Sequence, residues 1–180
     1  MQGCARGRKE AQEQLYRRYS GQMFAICLRY AYSYEEAQDY LQEAFMNIFS
    51  SIYQFKGKGS FEGWMKKIVV NSVLQGIRKK RFMIPLVHDF PDNHDLYLPN
   101  APTDLTESDL LSMIQELPRN YRIVFNLYAI EGYKHNEIAQ MLNISENTSK
   151  SHLFRARSRL QEKVNNFYTK TKGVYKSSVL

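Results

Sequence analysis

The segment from residue 82 to residue 104 constrains the fold of this 180-residue chain more than any other stretch of its sequence. It holds four of the five prolines and four aspartates, and it contains no lysine or arginine. Proline lacks a backbone donor and disfavours helix at the residue that precedes it. The sequence therefore predicts an extended, acidic linker over 82–104 between two separate domains.

The two flanking segments are basic. Residues 1–81 carry a net charge of +7 and residues 105–180 carry +4, whereas the linker carries −4. This excess of positive charge favours a polyanionic partner, such as nucleic acid or an anionic surface. The two cysteines form no CxxC pair, and no apolar run approaches the roughly 20 residues that a bilayer span needs. These features predict a cytoplasmic protein that is not embedded in a membrane.

Residues 1–81 show helical periodicity and no strand pattern. Ser33 is expected to cap a helix, with Glu36 at capping-box spacing. The apolar positions that follow recur at steps of three and four, at Ala37, Leu41, Ala44, Phe45, Ile48 and Ile52. A second helix from Ser60 should bury one face, formed by Val69, Val70, Val73 and Ile77. Its opposite face carries Trp64, Lys67, Ile68, Asn71, Gln75 and Arg78.

Residues 105–165 contain clear helix boundaries. Thr106 is a candidate N-cap for a first helix that stops at Pro118, and Gly132 should end a second helix. A short third helix, "HNEIAQML", should end at Asn143, and Ser145 should cap the last helix. Two short helices joined by a tight turn indicate a helix-turn-helix motif. Lys134 stands where a Ser or Thr cap is expected.

The last helix has a basic outer face with an aromatic residue on it. Its inner face carries Leu153, Ala156, Leu160 and Val164. The outer face carries Lys150, Ser151, His152, Phe154, Arg155, Ser158 and Arg159. Arginine can pair with guanine, and an exposed ring can pack on a thymine methyl. A solvated basic helix with one stray aromatic residue is the alternative, but the preceding helix-turn-helix spacing favours DNA recognition.

The order of these segments resembles a bacterial RNA polymerase sigma factor of the extracytoplasmic-function (ECF, group IV) type. The matching motifs are "LYRRYSGQMF", "DYLQEAF", "GSFEGWMKKIVVNSV", "LPRNYRIVFNLYAIEGY" and "NEIAQMLNISENTSKSHLFRARSRL". They cover residues 10–165, and "SENTSKSHLFRAR" is similar to versions common in Bacteroidetes. The chain lacks part of the first helix of the family, so Met1 is expected to be an internal start or a trimmed end.

The resemblance implies an all-α fold of two small helical domains joined by the extended acidic linker. Sigma region 2, a helical bundle, is expected over 1–81 and the helix-turn-helix of region 4 over 105–165. The linker would occupy 82–104 and a tail 166–180. Such a protein binds core RNA polymerase and directs it to specific promoters for transcription initiation. It has no catalytic residues of its own, no cofactor and no metal.

The family also implies roles for residues of region 2. The segment "DYLQEAF" matches the one that contacts the β′ clamp helices of the polymerase, with Asp39, Gln42 and Glu43 as contact residues. A merely solvated polar face is the alternative, but it does not explain an acidic stripe in a basic domain. Region 2 melts the −10 element and captures an unstacked base. The residues expected there are Phe55, Lys56, Lys67, Asn71, Gln75 and Arg78. Gln75 stands where relatives often carry Asn or Asp, and for Trp64 a place in the core is favoured.

Region 4 is expected to contact the β flap and to recognise the −35 element as duplex DNA. The matching DNA-binding residues are Thr148, Lys150, Ser151, His152, Phe154, Arg155 and Arg157. His152 replaces what is often arginine. The family further implies a membrane-bound anti-sigma factor as a partner.

Three other functions are compatible with parts of the sequence. A helix-turn-helix regulator that acts without polymerase would need a sensory or dimerising domain, which residues 1–81 do not resemble. A decoy that only binds an anti-sigma factor should lose the basic recognition face. An enzyme could use His88 and His94 as metal ligands, but their spacing in a proline-rich linker is weak for a metal site.

Overall fold

The computed structural model describes the backbone of residues 2–83 and 105–177, and the side chains of 3–79 and 105–169. Every regular element in these ranges is helical, which confirms the predicted all-α class. The chain divides into two compact units, Met1–Phe90 and Pro91–Leu180. The predicted linker lies outside the described residues, apart from its first two, which still belong to a helix.

The first unit is a bundle of three long helices. A short helix α1 (Gln2–Ala5) precedes α2 (Lys9–Tyr30), α3 (Tyr34–Ser51) and α4 (Phe61–Met83), and a 3-10 turn, Ile52–Gln54, follows α3. The predicted apolar stripes of α3 and α4 are buried, as expected from their periodicity. Helix α2 adds a third buried face to the core, formed by Leu15, Met23, Ile26, Cys27 and Tyr30.

Helix α3 begins with the predicted cap in a modified form. The Ser33 hydroxyl accepts a hydrogen bond from the Glu36 backbone N–H at 3.1 Å. The Glu36 carboxylate reaches past Ser33 and accepts from the backbone N–H of Tyr32 at 2.6 Å. It also accepts from the Tyr40 hydroxyl at 2.7 Å, so this buried carboxylate fixes both the start of the helix and its first two turns.

Three cross-helix contacts hold α3 against α4. The amide nitrogen of Asn47 donates to the Ser72 hydroxyl at 2.9 Å, and Lys79 pairs with Glu43 at 2.9 Å. Gly76 lies between Ser72 and Lys79 on α4, and a Cβ atom there would lie only 2.6 Å from a ring carbon of Tyr40 on α3. Glycine at this position therefore lets the two antiparallel helices approach closely.

The second unit contains the helix-turn-helix motif. Its elements are α5 (Glu107–Gln115), α6 (Arg119–Phe125), a π-helical turn (Asn126–Ile130), α7 (His135–Leu142) and α8 (Glu146–Ser177). The left-handed residues Gly132, with φ of 79°, and Asn143, with φ of 52°, confirm the predicted ends of the second and third helices. Helix α8 spans 32 residues and continues past residue 165.

The N-termini of these helices explain the unusual Lys134. Thr106 and Asp109 form a reciprocal capping box at α5, and Ser145 accepts from the backbone N–H of Thr148 at 3.0 Å to cap α8. At α7, the Glu137 carboxylate accepts from the backbone N–H of Lys134 at 2.7 Å. This hydrogen bond is one half of a capping box. It satisfies the backbone N–H of Lys134 and does not require a Ser or Thr side chain at that position.

A buried arginine joins α5 to α6. Arg122 is 0% exposed, and its guanidinium donates to the backbone carbonyl of Gln115, the last residue of α5, at 2.7 Å. A cation at this position hydrogen-bonds a carbonyl of the last turn of α5 and complements the negative end of the helix dipole.

Candidate nucleic-acid interfaces

Helix α8 presents its predicted recognition face to solvent. Phe154 is 72% exposed, whereas Leu153 and Ala156 on the inner face are buried. The exposed residues of the predicted −35 set are Lys150, Ser151, Phe154, Arg155 and Arg157. Thr148 is half-buried, and its hydroxyl lies 2.8 Å from that of Ser145, so it takes part in the helix cap. The face combines cations with an exposed ring, as base-edge and phosphate contacts require.

Tyr121 and Tyr128, which precede the helix-turn-helix motif in the chain, contact three arginines of this face. Arg155 donates to the Tyr121 hydroxyl at 3.0 Å, a contact that raises the pKa of Arg155 above its ordinary value. Arg159 lies over the same ring at 5.8 Å, and Arg157 lies over the ring of Tyr128 at 5.7 Å. These cation–π contacts orient flexible side chains before any ligand binds. The sequence reasoning missed both tyrosines, because residue 121 and residue 155 are far apart in the chain.

His152 takes a different position from the rest of its predicted set. Its ring is half-buried, at 5.3 Å from the Tyr121 ring, rather than on the outer face. Burial lowers the pKa of His152, and the nearby Arg155 lowers it further. Both causes disfavour the charged form, and the ring contact packs α8 against α6.

A second histidine, which the sequence reasoning missed, joins α7 to α8. His135 stacks on Tyr128 at 4.5 Å, and its Nδ1 atom lies 2.9 Å from the Ser149 hydroxyl. Burial and the charge of Lys150 lower the pKa of His135. The hydrogen bond fixes the start of the first helix of the motif against the recognition helix.

In the first unit, two of the predicted −10 residues share a small cleft between α3 and α4. Asn71 and Gln75 are exposed, and both line an opening of about 190 Å³. The other lining residues are Asn47 and Ser51 of α3 and Ile68 and Ser72 of α4. Lys67 and Arg78 are exposed on α4 but do not line this cleft. The cleft thus brings polar hydrogen-bonding groups together beside exposed cations, as single-strand capture requires.

Phe55 belongs to an aromatic cluster at the base of the loop over 56–60, the basic loop, which carries Lys56 and Lys58. Its ring lies 5.1 Å from that of Phe61 and 5.6 Å from that of Trp64, and the Phe61 and Trp64 rings stack with an angle of 19°. All three rings are half-buried, so Trp64 contributes to packing without being fully enclosed. The cluster joins the two ends of the loop over 56–60, in which Lys56 is exposed.

The predicted acidic stripe of α3 borders a larger groove. Asp39 and Gln42 are exposed and line an opening of about 710 Å³ between α2 and α3. Apolar side chains dominate the rest of its lining, including Tyr16, Phe24, Phe45, Met46 and Phe49. Glu43 is not among the lining residues and pairs with Lys79 instead. An apolar centre with a charged rim is typical of a protein–protein interface.

Two further observations concern residues 2–83 and 105–177 only. No helix in these ranges combines the length and apolar character that crossing a bilayer requires. Within the same part of the chain, no three or more potential metal-ligating side chains cluster around a common point. His88 and His94 lie outside the described residues.

Comparison with known protein families agrees with this arrangement. Residues 15–82 match the model of sigma-70 region 2, and residues 107–160 match the model of sigma-70 region 4. The first match contains the α3–α4 cleft, and the second contains the helix-turn-helix motif. Together the two matches span about two thirds of the chain.

Curated relatives match over most of their length. The chain is 28% identical over 171 residues to the ECF RNA polymerase sigma-E factor of Escherichia coli K12, covering 88% of this chain and 89% of that protein. It is 27% identical over 151 residues to the ECF sigma factor SigM of Bacillus subtilis, covering 83% and 92%. Among solved structures, the sigma factor RpoE of Bartonella quintana, crystallised with the anti-sigma factor NepR, has a similar fold, with a TM-score of 0.54 at 19% identity, covering 85% of this chain and 96% of that one. The chain therefore belongs to the sigma-70 family of RNA polymerase sigma factors, as a member of the ECF type.

Proposed function

We propose that this sigma factor recognises the −35 element as duplex DNA with α8 and captures an unpaired base of the −10 element in the α3–α4 cleft. As a sigma factor, the protein is the specificity subunit that brings core RNA polymerase to promoters, and catalysis belongs to the polymerase. The observation that carries the proposal is the cleft, because Asn71 and Gln75, selected by family resemblance, line the same small opening.

The two proposed DNA contacts differ in chemistry. On α8, exposed arginines and a ring suit base edges and phosphates in a major groove. In the cleft, amide groups suit the hydrogen-bonding edge of a base that has left the stack. In this proposal Lys56, Lys67 and Arg78, which are exposed, would hold the phosphates of that strand, and Phe55 would support the loop over 56–60.

Three further parts of the proposal concern partners and boundaries. The groove beside Asp39 and Gln42 would receive the β′ clamp helices, and region 4 would contact the β flap. Region 2 would occupy 1–81, the linker 82–104, region 4 105–165 and the tail 166–180. A membrane-bound anti-sigma factor is proposed as a regulator, and the site of action is the cytoplasm, where the polymerase works.

Replacing Asn71 by alanine tests the cleft. We expect near-normal closed complexes but less promoter opening, because the amide contacts a base only after the strands separate. A contact of this kind contributes about 1–3 kcal/mol, which corresponds to roughly a 5- to 150-fold loss of open complex. Permanganate reactivity of the −10 thymines measures opening. Asn166→Ala, at an exposed amide on α8, is the control, and normal opening by the Asn71 variant would refute the proposed capture site.

Replacing Arg155 by alanine tests the duplex contact. If its guanidinium contacts a base, −35 affinity should fall by about 1–3 kcal/mol, and discrimination at that base pair should relax. Closed-complex affinity for native and altered −35 sequences, compared at one salt concentration, provides the measurement. Tyr121→Phe is the matched control, because it removes only the hydroxyl that orients Arg155 and should cost less. A uniform loss on all sequences would instead assign Arg155 to phosphate.

A further inference from the structure

Arg159 is a cation on the outer face of α8 that the family resemblance did not assign to the −35 element. Its side chain is exposed, and it lies one helical turn beyond Arg155 on the same side of the helix. Its guanidinium carbon lies 5.8 Å from the centre of the Tyr121 ring, and the hydroxyl of the same tyrosine accepts the hydrogen bond from Arg155. One aromatic side chain therefore holds two exposed guanidiniums on one side of the recognition helix.

The support given to Arg159 is of the same kind as that given to arginines of the predicted −35 set. Arg157, a member of that set, lies over the ring of Tyr128 at 5.7 Å, much as Arg159 lies over that of Tyr121. Contact with a ring restrains a long side chain that would otherwise lose conformational freedom when it binds a ligand. An arginine held in this way is pre-organised to bind an anion.

The charge of Arg159 is not neutralised within the protein. Among the described side chains, no carboxylate forms an ion pair with it, and its contact is with the Tyr121 ring. The next cation along this side of α8, Lys163, does pair with a carboxylate, that of Glu116. Arg159 therefore carries a positive charge that can act on an external anion, whereas the charge at the following turn is already compensated.

The position of Arg159 along α8 favours a phosphate over a base as its ligand. A recognition helix brings its N-terminal residues closest to the base edges. Arg159 lies about 6 Å further along the helix axis than Arg155, away from that end. It is therefore farther from the bases and nearer to the edge of the groove, where the phosphates lie. Arginine can pair with a phosphate through two N–H groups at once.

We infer that Arg159 contacts a phosphate of the −35 DNA at the edge of the groove that α8 enters. The contact strengthens binding and helps to fix the register of the helix on the duplex, and it does not choose a base. The inference rests on the proposed recognition of duplex DNA by α8. It extends that interface by one helical turn and one phosphate.

The test measures the closed-complex affinity of preformed holoenzyme for duplex promoter fragments over a series of salt concentrations. Arg159→Gln removes the charge and keeps a good helix former at the position. Because each phosphate contact contributes about 0.9 to the slope of log K against log salt, we expect the slope of this variant to be shallower by about that amount. The advantage of wild type over the variant should then be roughly 3.5-fold larger at about 50 mM than at about 200 mM salt. Native and altered −35 sequences should be affected equally.

Two further variants separate a phosphate contact from a general effect of charge. Arg159→Lys keeps the positive charge, so most of the wild-type salt slope should return. Lys163→Gln is the matched control, because it removes one cation from the same side of α8. Glu116 already pairs with that cation, so the salt slope should stay at the wild-type value. Thermal unfolding checks that all three variants are folded.

Four results would overturn the inference: an unchanged salt slope in Arg159→Gln, an equal change of slope in Lys163→Gln, no recovery of the slope in Arg159→Lys, or a loss confined to one −35 base pair. Its failure is distinguishable from failure of duplex recognition. If Arg155→Ala relaxes base discrimination and Arg159→Gln keeps the wild-type slope, α8 recognises the −35 element but the interface ends before Arg159. If neither variant changes closed-complex affinity, the proposed recognition by α8 is itself wrong.

Discussion

Arg122→Ala is expected to destabilise the second unit by a large share of its total folding free energy. Arg122 is fully buried and donates to the C-terminal carbonyl of α5. Truncating a large buried side chain typically costs about 2–5 kcal/mol, and the Gln115 carbonyl also loses a charged donor. A unit of about 90 residues has a stability of only about 5–13 kcal/mol. The variant should therefore lose α6–α8 packing and, with it, −35 recognition.

Hydrogen exchange measured along the whole chain tests this expectation. Protection of amides in α6 and in the first turns of α8 should drop sharply, whereas α2–α4 should stay protected and serve as the internal control. Arg122→Met keeps most of the buried volume, and replacing a buried charge by an apolar residue of similar size is often tolerated. The loss of amide protection in Arg122→Met should therefore be smaller than in Arg122→Ala. Equal protection in wild type and Arg122→Ala would show that the buried guanidinium contributes little.

Asp39→Arg is expected to reduce copurification with core RNA polymerase by at least about a hundredfold. Asp39 is exposed on the rim of an apolar groove, and the proposed partner surface is basic. Placing like charges against each other across an interface costs several kcal/mol, and about 1.4 kcal/mol corresponds to each tenfold change in affinity. Asp39 is the sharper position for this test, because Glu43 also pairs with Lys79 inside the unit.

Glu13→Arg provides the matched control for this variant. Glu13 is exposed on α2, pairs with Arg17 one helical turn away and does not line the groove. Glu13→Arg therefore makes the same change of charge as Asp39→Arg, but outside the proposed interface. The control should copurify normally, and both variants should keep the wild-type melting temperature. Undiminished copurification of the Asp39 variant would exclude this groove rim from the polymerase interface.

The helices and their ends could be predicted from the sequence because these features depend on local information. Periodic apolar residues mark a buried face, and Ser33, Gly132 and Asn143 act on their own turns of backbone. Arg122 shows where such reasoning fails. A charged residue in a helical pattern indicates an exposed position, and its burial depends on the end of α5, seven residues earlier in the chain and in a different helix.

The α3–α4 cleft shows the same difference between features that depend on local sequence and features that depend on a second helix. The exposed face of α4, with Asn71 and Gln75, follows from its own periodicity. The opposite wall of the cleft depends on which α3 residues lie across from it, and that alignment is set by the contacts of Gly76 with Tyr40 and of Asn47 with Ser72. Pairing of this kind is not encoded in either helix alone, so Asn47 could not be identified from sequence pattern.

The aromatic cluster at the base of the basic loop has a spectroscopic consequence. Trp64 is the only tryptophan of the chain, and its half-buried ring contacts both Phe55, which precedes the loop, and Phe61, which follows it. Tryptophan emission therefore originates entirely from this location in the first unit. Selectively excited tryptophan fluorescence of the unlabelled protein therefore reports on the surroundings of the loop over 56–60, because the second unit contains tyrosine but no tryptophan.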